Sequence, residues 1–226
     1  MLKLLRRIPV FSKLKIKELK SIQKLARARD YGPGELIFSK ADASKQLFII
    51  HTGRVRIFAP SSGKKRKTFA YLGHGSFFGE MGILESKPRS ASAEAVSYTR
   101  VLAIKKADFM KLLRQDPGLT FYLLKTVSER LRRTDDEIET LLFSNILGRV
   151  SKTLRDLSRT GVKSRGGILI KEHFSQQELA DMVGTTREPV TRALSSLRRA
   201  QLLDLRDGRY FIKEPGKLEA MCLCAK

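Results

Sequence analysis

Between Asp116 and Ser144 the apolar positions fall on one narrow line. Leu124, Val127, Leu131, Thr134, Ile138 and Leu141 advance by alternating steps of three and four, the repeat of a helix that packs along another helix. Asp116-Pro117 opens the stretch, an N-capping carboxylate followed by a proline whose missing N–H costs nothing in the first turn. No glycine or proline follows Gly118, so the predicted helix runs about 40 Å at about 1.5 Å per residue. Lys125, Glu129, Arg130, Arg132, Arg133, Asp135 and Asp136 flank the stripe. Such a stripe suits a partner helix better than a broad core, and the stretch is read as a dimer axis. Thr134 is its one polar member.

Upstream, residues 1–29 follow a helical pattern, with Ser12 as cap before Leu14, Leu19, Ile22, Leu25 and Ala26. Lys13, Lys15, Lys17, Lys20, Lys24, Arg27 and Arg29 surround that stripe; they form a solvated face or an auxiliary contact to nucleic acid. From Tyr31 the period shortens. Leu36–Phe38, Gln46–Ile50, Arg54–Phe58 and Thr68–Leu72 read as strands, separated by turns at Gly32-Pro33-Gly34, His51-Thr52-Gly53 and Ser61-Ser62-Gly63. Short strands at this spacing predict a small antiparallel barrel or jelly roll. His51 and His74 sit in different turns without supporting acids, which fits surface residues better than ligands.

Phe77-Phe78-Gly79-Glu80-Met81-Gly82-Ile83-Leu84 then predicts a single helical turn, followed by Pro88-Arg89-Ser90-Ala91-Ser92-Ala93 and a strand. Free N–H groups beside glycines suit a phosphate, an arginine can clamp it with forked donors, and a carboxylate can accept from sugar hydroxyls.

Beyond the long helix, Ile146, Val150, Leu154 and Leu157 mark a further amphipathic helix ending near Gly161, and Gly166-Gly167 opens a strand at Ile168–Ile170. Ser175-Gln176-Gln177-Glu178 is a capping box that starts a helix through Val183. Gly184 turns the chain, and Thr185-Thr186-Arg187-Glu188 reads as a second capping box, with Pro189 in the first turn. Val190, Ala193, Leu194 and Leu197 share one face; Arg187, Glu188, Thr191, Arg192 and Ser195 share the other. Two capped helices about a glycine are a helix-turn-helix. Leu202–Leu205 and Tyr210–Ile212, joined through Asp207-Gly208, predict a hairpin wing.

Composition narrows the partner. The 226 residues suffice for two modest domains, and a formal charge of +22 implies a polyanion, either nucleic acid or an acidic membrane surface. The excess does not locate the site: residues 145–226 hold 16 Lys+Arg against 9 Asp+Glu, and residues 1–144 hold 29 against 14. No apolar run is long enough to span a bilayer, and Met1–Arg7 lacks the features of a signal peptide. Cys222 and Cys224 form a lone C-x-C with no histidine nearby, weak as a metal site, and no metal is expected. A cytoplasmic, reduced protein is expected.

Phe78-Gly79-Glu80, Leu84 and Arg89-Ser90-Ala91 resemble the phosphate-binding cassette of cyclic-nucleotide-binding domains. The run from Gly73 to Ala93 is similar to the bacterial cyclic-AMP receptor branch of the cyclic-AMP receptor and fumarate–nitrate regulator family. The resemblance implies that Glu80 contacts the ribose 2′-hydroxyl and that Arg89 and Ser90 hold the cyclic phosphate, assisted by Gly79 and by the short turn that includes Met81. Aligning Arg130-Leu131 with the family's Arg-Leu puts Thr134 and Asp135 where a Thr-Ser pair reaches the adenine. The aspartate leaves adenine and guanine both open, so cyclic AMP is expected first, with cyclic GMP or cyclic di-GMP as alternatives. Arg187-Glu188 followed by Arg192 resembles the Arg-Glu-x-x-x-Arg signature of the family's recognition helix. The resemblance implies that Thr186, Arg187, Glu188, Thr191 and Arg192 meet double-stranded DNA at an inverted repeat with TGTGA-like half-sites. The iron–sulphur branch needs clustered cysteines upstream, and none is present.

The expected fold is therefore α+β: a cyclic-nucleotide-binding jelly roll over 1–115, a dimerisation helix over 116–144, and a winged helix-turn-helix over 145–226. The expected function is a homodimeric transcription regulator gated by a cyclic nucleotide and working with RNA polymerase. An effector-independent DNA-binding protein of the same fold is the alternative. An enzyme is not expected, since Asp135, Asp136, Glu137 and Glu139 with His173 offer no acid–base, nucleophile or metal spacing.

Overall fold

The computed structural model describes residues 24–60 and 66–222. The helix expected before Lys24, the Ser61–Gly63 turn and Cys224 lie outside them. Two compact units partition the chain, Met1–Lys64 with Thr68–Arg130 and Lys65–Lys67 with Leu131–Lys226.

The first unit is a jelly roll of two four-stranded sheets. One has the order β1 (Arg27–Tyr31), β8 (Thr99–Lys105), β3 (Gln46–Thr52), β6 (Phe77–Phe78); the other runs β2 (Leu36–Phe38), β7 (Ser92–Ala95), β4 (Val55–Pro60), β5 (Arg66–Leu72). Strands β3 and β8 show no polar alternation at their centres because both faces are covered. Phe48, Ile50, Val101 and Ala103 pack inside the roll with Phe78 and Val55. Leu47, Ile49, Leu102 and Ile104 pack on the other side against Phe109, Leu119 and Leu123. Those three come from α2 (Lys106–Gln115) and α3 (Pro117–Phe143), which form the roll's helical cover.

The helical pattern expected through Arg29 is corrected here, since it stops at Leu25 and Arg27–Tyr31 becomes edge strand β1. Register with β8, from Arg27 opposite Ala103 to Tyr31 opposite Thr99, gives that backbone its hydrogen bonds. Tertiary pairing overrides a charge pattern that local reading continues as helix. Strand β8 and helix α2 were not read from the sequence. His51 is also corrected, lying in β3 and not in a turn.

The start of α3 is as expected: Asp116 Oδ1 accepts from the Leu119 amide at 3.0 Å. Leu119 and Leu123 are buried, but beyond them the stripe is bare. Leu124, Leu131 and Ile138 are 60%, 61% and 50% exposed, and Phe121, Leu142 and Phe143 are exposed as well.

The second unit packs α4 (Ile146–Ser158), α5 (Gln176–Val183), α6 (Arg187–Arg199) and α7 (Pro215–Met221) with a sheet of order β11 (Leu203–Arg206), β12 (Arg209–Ile212), β10 (Gly167–Leu169), β9 (Val162–Ser164). Its core includes Val150, Leu154, Leu179, Val190, Leu194, Leu197 and Phe211. The wing forms as expected, with Asp207 and Gly208 at φ 49° and 73° closing a two-residue hairpin. Strand β9 and helix α7 were not foreseen. The Ser175–Glu178 capping box is formed. The second box is not: α6 takes Thr186 as N-cap, without a side-chain bond. Pro189 then occupies the third helical position and has no N–H to donate to a cap. Thr185 serves the preceding helix instead, its amide donating to Ala180 O at 3.0 Å.

Candidate effector cassette and nucleic-acid interface

The cassette is built where β6 meets α1 (Glu80–Leu84). Its two phenylalanines point to opposite faces: Phe77 joins the helix-side core, and Phe78 stacks inside the roll on Phe48 at 5.3 Å and beside Phe38 at 5.8 Å. Arg89 inserts its guanidinium against this aromatic group, 4.2 Å from the Phe38 centroid and 5.6 Å from that of Phe48. The side chain is 5% exposed. Nη1 donates to Gly79 O and Nη2 to Gln46 O, each at 2.6 Å. Nε is buried with no partner among the described residues. Burial pushes the guanidinium below the ordinary arginine value, and the Glu80 and Asp42 carboxylates oppose that shift. Arginine remains a cation in proteins, so the roll holds a buried positive charge with donors to spare.

Gly79 makes this arrangement possible. It sits at φ 81°, and a Cβ there would lie 2.5 Å from Arg89 Nη1. A Gly79→Ala chain is therefore both strained in its backbone and forced to expel the guanidinium. We expect it to weaken the cyclic-nucleotide binding proposed below by at least tenfold and to lower the thermal midpoint clearly, since two carbonyls lose their donor and the backbone is strained. Calorimetric titration beside a melting curve reads both.

Glu80, 2% exposed, is ion-paired with Arg130 of α3. Arg130 Nη2 also donates to Phe77 O at 2.6 Å, and its guanidinium lies 5.0 Å from the Phe77 ring. Ser90 Oγ donates to Met81 Sδ at 3.6 Å, and both residues are exposed. Gly79, Glu80, Met81, Arg89 and Ser90 are thus gathered around one short helix. Thr134 and Asp135 fall on the exposed length of α3, one turn past Arg130. Sequence reading missed the part played by Arg130, Phe38 and the Gln46 carbonyl. Arg130 served there as a charge flanking the stripe and to set register. No signal in the sequence joined Arg130 to Glu80, whose burial appears only in the fold. No group of three His, Cys, Asp or Glu among the described residues could hold a metal ion. His74 Nδ1 lies 2.6 Å from His51 O.

In the second unit α5 and α6 meet about Gly184, which is left-handed at φ 75°. Arg149, from α4, donates Nη2 to Val183 O at 2.6 Å and Gly184 O at 3.2 Å, closing the end of α5. Burial lowers the Arg149 guanidinium from its ordinary value, with Glu137 opposing. With Val190, Ala193, Leu194 and Leu197 buried, α6 leaves Arg187, Glu188, Arg192 and Ser195 exposed and Thr191 half-buried, while Thr186 is exposed at its cap. Arg192 Nη1 meets Glu188 Oε1 at 3.0 Å. Arg187 Nε and Thr191 Oγ1 both approach Gln176 Oε1, at 3.3 and 2.7 Å.

A jelly roll with a buried arginine in its cassette, a long helix and a winged helix-turn-helix together define a sensor-linked DNA-binding regulator. Comparison with known proteins agrees on both halves. The cyclic nucleotide-binding domain family matches residues 28–116, and the Crp-like helix-turn-helix domain family matches residues 148–221. The cyclic AMP receptor protein of Thermus thermophilus is 34% identical over 93% of this chain and 95% of its own length. The cAMP-activated global transcriptional regulator Vfr of Pseudomonas aeruginosa is 31% identical over 85% and 92%. Among solved structures, the c-di-GMP responsive global regulator CLP of Xanthomonas campestris superposes with a TM-score of 0.78 at 25% identity, covering 88% of this chain and 99% of that one. The chain belongs to the CRP/FNR family of DNA-binding transcription regulators.

Proposed function

We propose that the chain is a homodimeric, sequence-specific transcription regulator whose DNA affinity is set by a cyclic nucleotide, cyclic AMP first, bound at Arg89. The observation that carries this reading is the buried Arg89 cation. Two of an arginine's five donors go to carbonyls, and the orphaned Nε–H calls for an acceptor. A cyclic phosphate supplies one, Ser90 adds a hydroxyl, and Glu80, held by Arg130, offers an acceptor to a ribose hydroxyl. Cyclic AMP is favoured by the likeness to the Thermus cyclic AMP receptor protein. Cyclic di-GMP is the second reading, favoured by the likeness to CLP; Asp135, an anionic acceptor on α3, accepts the amine of guanine as readily as that of adenine.

The bare stripe of α3 supports pairing of two copies, with Thr134 and Asp135 turned toward the base in the assembled dimer. Thr186, Arg187, Glu188, Thr191 and Arg192 would then meet an inverted repeat, arginine with guanine and glutamate with a cytosine amine. RNA polymerase is the proposed downstream partner and the cytoplasm the proposed location. Among the described residues no helix is long and apolar enough to cross a membrane.

Calorimetric titration with cyclic AMP, cyclic GMP and cyclic di-GMP, beside DNA binding by fluorescence anisotropy, tests the reading. Saturable binding of one nucleotide with a change in DNA affinity is expected. Tight DNA binding that none of the three alters would favour the effector-independent alternative, and turnover of the nucleotide would mean an enzyme.

A further inference from the structure

Arg187 and Arg192, both exposed on α6, are held differently. Arg192 meets Glu188 through Nη1, so part of its terminal fork is occupied before DNA arrives. Arg187 is held at Nε by Gln176 Oε1, and its two terminal nitrogens have no partner among the described residues. Gln176 is the first residue of α5, so its side chain reaches from one helix of the motif to the other.

The hydrogen-bond chemistry fixes which way this amide faces. Arg187 Nε–H is a donor only and must meet the amide oxygen. Thr191 Oγ1, 2.7 Å from the same oxygen, also lies 3.0 Å from Arg187 O, and its single proton serves one of them at a time. With the oxygen turned inward against Arg187 and Thr191, the Gln176 NH₂ group faces away from them. A long arginine side chain carries considerable rotamer entropy, and an anchor at Nε removes part of it before binding. The anchored Arg187 can address a guanine edge only end-on, through Nη1 and Nη2.

We propose that Gln176 is a positioning residue for sequence readout: its amide oxygen holds Arg187 so that the terminal fork is aimed at one base pair of each half-site. The proposal rests on the reading above that Arg187 contacts a base. It adds that specificity at that pair depends on a side chain outside the recognition helix.

The test uses the full-length dimer with saturating nucleotide, a preferred duplex selected from random sequence, and a panel of single base-pair changes within it. Gln176→Ala and Gln176→Met both leave the Ser175–Glu178 box intact, so α5 keeps its start. Each is expected to cut discrimination at the pair read by Arg187 by about tenfold, a part of what a bidentate pair supplies. Discrimination at the Arg192 pair and affinity for random DNA should not change. Gln176→Glu keeps an acceptor for Nε, so it should restore discrimination while weakening every sequence alike through repulsion from phosphate. In an Arg187→Ala background, Gln176→Ala should have no further effect. Unchanged discrimination in Gln176→Ala and Gln176→Met, or an equal loss on specific and random DNA, overturns the proposal. If Arg187→Ala itself leaves discrimination intact at every position, it is the base-contact reading that fails.

Discussion

Arg89→Leu is expected to lower cyclic-nucleotide affinity by roughly thirty- to several-thousandfold, the equivalent of about 2–5 kcal/mol for a desolvated charge contact. The loss of affinity will come with a loss of stability. Gly79 O and Gln46 O each lose a donor on truncation, and a buried carbonyl left without one costs about 1–3 kcal/mol. Arg89→Lys separates the two effects. It keeps the charge against Phe38 and reaches one carbonyl, so most of the stability returns, but the planar fork is gone and affinity stays low. Titration calorimetry, with circular dichroism to confirm the fold, reads both variants. Wild-type affinity in a folded Arg89→Lys protein and a folded Arg89→Leu protein would remove Arg89 from the phosphate site.

The second large effect concerns assembly. Leu131→Glu should turn the proposed dimer into a monomer at micromolar concentration, raising its dissociation constant about a thousandfold. Leu131 is 61% exposed on the single chain, and covering a leucine is worth about 1.5–3 kcal/mol. Each dimer loses two such contacts and gains two carboxylates facing each other across the seam. Lys125→Glu, off the stripe, is the control and should leave assembly as it was. Sedimentation equilibrium decides the matter, and a Leu131→Glu chain that dimerises like the wild type would show that two copies pair elsewhere. In the monomer the preference for paired half-sites should collapse to that of a single half-site.

What the sequence made legible was whatever depends on local chemistry. Asp116-Pro117 carries its own cap, the Ser175 box closes within four residues, and Asp207-Gly208 needs no neighbour to turn a hairpin. The cassette was legible because Gly79, Glu80 and Arg89 lie within eleven residues of one another. What failed depends on partners far along the chain. Arg27–Tyr31 is strand only because β8, which begins at Thr99, lies beside it. The second capping box failed by one residue of register, a shift that placed Pro189 where a donor was required. Arg130 acquires its meaning from Glu80, fifty positions upstream, and no spacing rule joins them. The Phe38, Phe48 and Phe78 group that receives Arg89 is likewise assembled from three strands.

Arg149 bears on how far the DNA-reading half can be moved about. The turn at Val183 and Gly184 is closed by a side chain from α4, so the two helices about that turn do not carry everything they need. α4 in turn is tethered to the end of α3, since Lys152 Nζ donates to Asp136 O at 2.6 Å. A graft of residues 175–199 alone would arrive with the Val183 carbonyl lacking its donor and with α5 and α6 lacking α4, which packs against both. A portable cassette for engineering chimaeric regulators therefore begins no later than Asn145, which caps α4 through its own side chain, and a junction placed between there and Ser175 would separate α4 from the helices it supports.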